Sequence, residues 1–151
     1  MSPTHTPRIA VVGSLNMDLV LQVQHAPGPG ETVLADALHL VPGGKGGNQA
    51  VACARQGAQV ALFGRVGDDG YGHTLRAGLD ADGIDHSGVQ TDTDTTSCVA
   101  AITVEATGQN RIVVVPGANG RFVLEATALG AVLQGAGGLV LQFETPLRQV
   151  L

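Results

Sequence analysis

Apolar positions along the chain fall into short blocks separated by glycine-rich or charged turns. Arg8–Gly13 (RIAVVG) is a brief apolar run closed by glycine, as expected of a strand buried in a parallel sheet. Residues 18–24 alternate instead, with Leu19, Leu21 and Val23 against Val20, Gln22 and Gln24, which predicts a strand with one face partly covered. The Pro27–Gly30 turn leads into a second extended stretch over 31–41, so the two segments read as antiparallel strands inserted after the first core strand. Beyond the glycine-rich stretch 42–47, Ala50, Val51 and Ala54 recur at helical spacing and predict a helix over 48–56, closed by Gly57. Residues 59–66 predict a strand, 71–81 a helix with Leu75 and Leu79 one turn apart, and the region near 87–90 a further strand. Residues 98–105 and 110–115 read as a hairpin about the turn 106–109. A helix over 122–133, a buried strand over 139–143 and the start of a helix at 147–151 complete the pattern. Strand and helix in alternation predict an α/β fold on a parallel sheet.

Composition narrows the classes. A length of 151 residues predicts one domain, 1–151. Apolar residues make up 44%, enough for a core of Val, Ala and Leu, which excludes intrinsic disorder. The 22 glycines are about twice the usual share of ~7%, so close backbone approaches are expected. A net charge of -5 argues against duplex nucleic acid as a partner, and four aromatic residues argue against base-stacking platforms. No run approaches the ~18–20 apolar residues of a membrane helix, and no signal peptide is expected at the start. Cys53 and Cys98 read as two free thiols of a reducing cytoplasm. The sheet has few strands and its last helix about one turn, so the amino-terminal part of a larger unit is expected.

Candidate chemistry lies in three places. Residues 42–47 (PGGKGG) fail the Walker A pattern, because Gly46 follows Lys45 where Ser or Thr is needed. Neither Gly13–Asp18 nor Gly28–Val33 carries the dinucleotide fingerprint. The loop suits close backbone approach by a polyhydroxylated or anionic small molecule at a helix start, with Lys45 and Asn48 adding polar groups, or else it is a flexible turn. Asn16 and Asp18, after the first strand, suit sugar hydroxyls or form an Asx turn. Glu144 follows a later strand in the equivalent place, where a lone Glu is more often a cap or a solvated charge. The five histidines show no metal-ligand spacing, and the Asp pairs at 80/82 and 92/94 read as caps and solvated turns.

Taken together, Val12–Asp18 (VGSLNMD), Pro29–Thr32 (PGET), Gly43–Ala50 (GGKGGNQA), Val66–Asp69, Gly83–Asp85, Pro116–Asn119 (PGAN) and Gln142–Pro146 (QFETP) resemble the PfkB family of carbohydrate kinases, and within it the ribokinases, over residues 8–151. The resemblance implies an α/β, ribokinase-like three-layer sandwich, incomplete here, with a small inserted β-sheet lid at approximately 18–41 and 98–115. It implies ATP-dependent phosphorylation of D-ribose at the 5-hydroxyl, with ATP and Mg2+ as cofactors and K+ as a monovalent cation. Asn16 and Asp18 would hold ribose hydroxyls; Gly44, Lys45, Gly46, Gly47 and Asn48 would line the sugar, Glu144 would close it, and Ala100 and Ile102 would touch it from the lid. The family's catalytic aspartate sits in a G-A-G-D motif; here Gly135-Ala136-Gly137 is followed by Gly138, so no catalytic residue is assigned within 1–151 and the chain alone is expected to be inactive. The lid would pair two copies into a homodimer. Another sugar or a nucleoside as acceptor, or a non-catalytic sugar-binding remnant, are the alternatives.

Overall fold

The computed structural model describes residues 6–149. In chain order its elements are β1 (Arg8–Val12), β2 (Asn16–Val23), β3 (Ala37–Gly43), α1 (Lys45–Arg55), β4 (Gln59–Gly67), α2 (Gly70–Ala81), β5 (Asp85–Asp92), β6 (Cys98–Glu105), β7 (Asn110–Val115), a 3-10 turn (Gly117–Arg121), α3 (Ala126–Leu133), β8 (Gly138–Leu141) and a second 3-10 turn (Leu147–Gln149). They build two four-stranded sheets, one ordered β5-β4-β1-β8 and one ordered β3-β2-β6-β7.

The first sheet is parallel throughout. Its apolar strand β1 lies between β4, in register from Arg8↔Gln59 to Val12↔Phe63, and β8, from Ile9↔Gly138 to Val12↔Leu141. One face packs Val11, Val60, Leu62 and Val89 against Ala50 of α1 and Leu75 and Leu79 of α2. The other face packs Val12 and Phe63 against Phe122 and, toward α3, Leu124 and Leu129. Helices on both faces make the three layers that the resemblance implies. The second sheet is the lid: β2 pairs antiparallel with β3 and parallel with β6, and β6 pairs antiparallel with β7.

Glycine sets how closely these parts meet. A Cβ on Gly46 would lie 2.6 Å from the Gly13 carbonyl carbon and 2.7 Å from the Ser14 nitrogen. On Gly44, whose φ is +87°, it would lie 2.7 Å from the Ser14 oxygen, and on Gly64 2.6 Å from the Gly13 oxygen. The chain leaving β1 thus runs in backbone contact with both β4 and the first turn of α1, and Gly47 N donates to Ser14 O at 3.0 Å.

Several sequence expectations shift. The helix expected at 48–56 begins at Lys45, because Gly46 and Gly47 are its first turn rather than a loop. The lid strand expected from 18 begins at Asn16, so Asn16 and Asp18 are strand residues and not an Asx turn. The strand expected over 31–41 is Ala37–Gly43, since Glu31 closes a turn on Gly28 (3.0 Å). The strand near 87–90 runs from Asp85 to Asp92. Asp92 is 1% exposed and paired with Arg65 and Arg121, which corrects its reading as a solvated turn. The helix expected over 122–133 is only Ala126–Leu133, because Phe122 is extended and buried against Val12 and Phe63. The last strand is Gly138–Leu141, and the start of a helix at 147 is a 3-10 turn, with 150–151 outside the described residues.

Gly46→Ala should therefore destabilise the chain by ~1–3 kcal/mol or more, because backbone lies where the methyl must go. Gly78→Ala, in α2 with nothing within 4 Å of a new Cβ, should stabilise it by ~0.5–1 kcal/mol. Urea unfolding of the two variants checks both signs; equal effects would refute the contact at Gly46.

Candidate functional site

The site forms where the lid strand β2 rises from the main sheet. Asn16 and Asp18, two apart, share one face of the lid. In register beside them on that face are Gly43 and Val41 of β3, and Cys98 and Ala100 of β6, with Ile102 opposite Val20. Gly43 matters sterically: a Cβ there would lie 2.3 Å from Asp18 Oδ2. Ala100 is buried and Ile102 half-buried, so both stand on the wall that carries Asp18.

Glu144 arrives from the opposite side. After β8, the Gln142 side chain donates to Val12 O (3.4 Å) and accepts from Glu144 N (2.7 Å), which folds the chain back over the end of β1. The Glu144 carboxylate then accepts from Ser14 Oγ (2.7 Å) and from Lys45 N (3.3 Å), and pairs with Lys45 Nζ. Gly44 precedes helix α1 as its N-cap residue, with no side-chain cap and no acid in the first turn. Glu144 supplies that missing negative partner from 99 residues away, at the end of the helix where backbone N–H groups and the helix dipole favour an anion.

Electrostatics separate the two carboxylates. Burial pushes Glu144 up, but the hydrogen bonds from Lys45 and Ser14 outweigh it and hold it below the usual glutamate range. Asp18 is raised, first by burial and then by the Glu144 charge, and its Oδ1 is buried without a hydrogen-bond partner. Burial also pushes the Cys98 thiol up to about 11, so it is a protonated, inert wall of the site. Asn16, Cys98, Val114, Pro116, Asn119 and Glu144 enclose a cleft of about 270 Å³.

Of the residues singled out by sequence, the fold gathers Asn16, Asp18, Gly44, Lys45 and Glu144. Gly46 and Gly47 pack against Gly13 and Leu15 respectively and serve the helix–strand contact. Asn48 is exposed on α1 and, with Gly43 and Gly47, borders a neighbouring groove between α1 and α2. Ser14, Asn119 and Gln142 had no assigned role. They lie in the stretches 12–18, 116–119 and 142–146 that carry the family resemblance, but what each side chain holds shows only in the fold, where all three are buried and hydrogen-bonded.

The sequence profile of the pfkB family carbohydrate kinases matches residues 6–145. The chain belongs to this family. Relatives of this pfkB-family chain include the ribokinase of Bacillus subtilis, 49% identical over 126 residues, which are 83% of this chain and 42% of the relative. The deoxyribokinase of Salmonella typhi is 40% identical over 111 residues, 74% of this chain and 36% of that protein. Among solved structures, Arabidopsis thaliana ribokinase complexed with ribose and ATP superposes with a TM-score of 0.81 at 31% identity, covering 93% of this chain and 46% of that one. The chain spans less than half the length of these relatives.

The Glu144 contact should show in pH dependence. A carboxyl held below its ordinary value near 4.5 contributes stability that is complete above that pH and is lost as pH falls through the folded-state value. Glu144→Gln should thus lower Tm at pH 7, and the difference from the parent chain should shrink progressively as pH falls below 4.5. A difference independent of pH would show that the charge does not hold α1.

Proposed function

We propose that this pfkB-family chain forms the sugar-binding part of a ribokinase-type enzyme that transfers the terminal phosphoryl group of ATP to the 5-hydroxyl of D-ribose. The observation that carries this reading is how charge is disposed around the glycine turn. Lys45 and the start of α1 attract anions, but Glu144 already satisfies both. What remains open is Asp18, a raised carboxylate with one buried, unpartnered oxygen. Such a site rewards neutral hydroxyl donors and repels phosphate. This supports a polyhydroxylated over an anionic ligand, the two that the glycine-rich stretch alone leaves open. The ribokinase relatives, one of them solved with ribose and ATP, favour ribose as the polyol. The deoxyribokinase relative supports a second acceptor, 2-deoxyribose.

The nucleotide and its ions are a different matter. Among the described residues no three His, Cys, Asp or Glu side chains converge on a common point. The start of α1, where backbone N–H groups would favour a phosphate, is taken by Glu144. Phosphoryl transfer needs a positioned nucleophile, a base and charge stabilisation. This chain's residues hold the sugar, and Asp18 and Glu144 are committed to binding and to α1.

The lid carries exposed apolar side chains on both faces: Leu38, Leu40, Val113 and Val115 on one, Val41, Ile112 and Val114 on the other. An apolar surface of this kind favours association, and the reading assigns it to the lid of a second copy.

Calorimetric titration of ribose into the 151-residue chain tests the site. Asp18→Asn should weaken binding at least tenfold, ~1.4 kcal/mol. The same substitution should raise Tm at pH 7, because a carboxyl whose pKa is raised by folding costs stability while ionised. Equal ribose affinity in both forms would remove Asp18 from the site. Incubation with ATP, Mg2+ and ribose should yield no ribose 5-phosphate, and turnover like that of an intact kinase would overturn the division of labour drawn here. Sedimentation at micromolar concentration should show a dimer; a clean monomer would count against lid pairing.

A further inference from the structure

The Pro116–Asn119 segment borders the cleft, and its backbone and side chains are closely held. It forms the 3-10 turn Gly117–Arg121 beneath the lid. Gly117 has φ +48°, and a Cβ there would lie 2.3 Å from Thr96 O, so the turn is seated directly on the 96–97 backbone. Ala118 is fully buried and its N–H donates to Thr96 O at 2.9 Å. At the far end Arg121 Nε pairs at 3.2 Å with Asp92, which Arg65 Nε also engages at 2.9 Å. This structure presents one side chain, Asn119, which is 2% exposed.

Asn119 has no freedom in which way its amide faces. Its Oδ1 accepts from Leu15 N (3.2 Å), a group that can only donate. Its Nδ2 must then face the other partners, Leu15 O at 3.1 Å and Asn16 Oδ1 at 2.8 Å. Both hydrogens of that NH2 are spent, and an NH2 can only donate, so the atom of Asn16 that meets it must be the oxygen. The polarity of the Leu15 peptide is thereby passed through Asn119 to Asn16.

We propose that Asn119 is a positioning residue that fixes the amide of Asn16, so that Asn16 offers its NH2 as a donor to the ligand while neighbouring Asp18 offers an acceptor. The part concerning the ligand rests on the sugar-site reading above. A donor and an acceptor side by side on one strand face match a vicinal diol: one oxygen accepts from Asn16, and a hydroxyl donates to Asp18. Without Asn119, the Asn16 amide is free to turn, and half of its orientations present an oxygen to an oxygen.

The test uses the isotope-labelled 151-residue chain and reads side-chain amide hydrogen exchange by NMR. In the parent chain the Asn119 NH2 should exchange slowly and the Asn16 NH2 at least tenfold faster. In Asn119→Asp the introduced carboxylate can only accept, so the Asn16 amide should reverse and its NH2 become the protected one. A purely structural role for Asn119 would leave the Asn16 NH2 fast-exchanging in that variant. If that variant does not fold, the parent pattern decides alone: a protected Asn16 NH2 beside a fast Asn119 NH2 overturns the proposal. A folded variant with Asn16 exchange unchanged also overturns it. Ribose is then added to the parent chain. A shift at the Asn16 NH2 is expected, with ribose affinity at least tenfold weaker in Asn119→Asp. Equal affinity in the two folded forms would contradict the presented polarity. Absence of any ribose-dependent shift would refute the sugar reading, while the exchange pattern still decides the positioning.

Discussion

The site depends on a contact between two stretches of backbone. The chain leaving β1 at Gly13–Ser14 touches the first turn of α1 at Gly44–Gly46, at distances where no side chain fits between them. That contact puts the Lys45 N–H and side chain at the mouth of the main sheet, beside the segment that follows β8. It also fixes the path by which the chain climbs into β2, and so the face on which Asn16 and Asp18 stand. Packing against Gly43 then confines the Asp18 carboxylate. Glycine is required at these positions because backbone occupies the space, rather than because the turn must flex.

A helix start so exposed to an open cleft would ordinarily be a place for a phosphate. Here Glu144 occupies it, bound by Ser14, by the Lys45 backbone and by the Lys45 side chain. Satisfying the helix from within leaves a site whose free valence is a carboxylate. The cost falls on Asp18, which is both buried and repelled by Glu144. Its strained ionisation is the kind of local destabilisation that binding sites carry, since a bound hydroxyl would supply the partner that the folded chain lacks.

Much of the fold was legible from sequence. Apolar blocks ended by glycine marked β1 and β4, and the alternation at Leu19, Leu21 and Val23 marked the lid. Boundaries failed where tertiary contact overrode local preference. Gly46 and Gly47 look like a loop because glycine disfavours helices, yet they start α1, since only glycine can lie against Gly13. Phe122 looks like the start of a helix, yet it is extended because its ring fills the space beside Val12 and Phe63. The charged and glycine-rich parts of the site announced themselves in the motifs at 16–18, 44–48 and 144. The parts that orient them did not. Asn119 and Gln142 act through hydrogen bonds to Leu15, Asn16 and Val12, more than a hundred residues away, and the short stretches that contain them do not disclose those partners.

The central claim is that the glycine turn is neutralised internally and that the site therefore takes a neutral polyol. Parallel calorimetric titrations of ribose and of inorganic phosphate into the same chain at pH 7 test it most directly. Ribose should bind and phosphate should give no heat of binding, with Glu144→Gln opening the start of α1 so that phosphate begins to bind. Phosphate binding to the unaltered chain, lost in Lys45→Gln, would contradict the account.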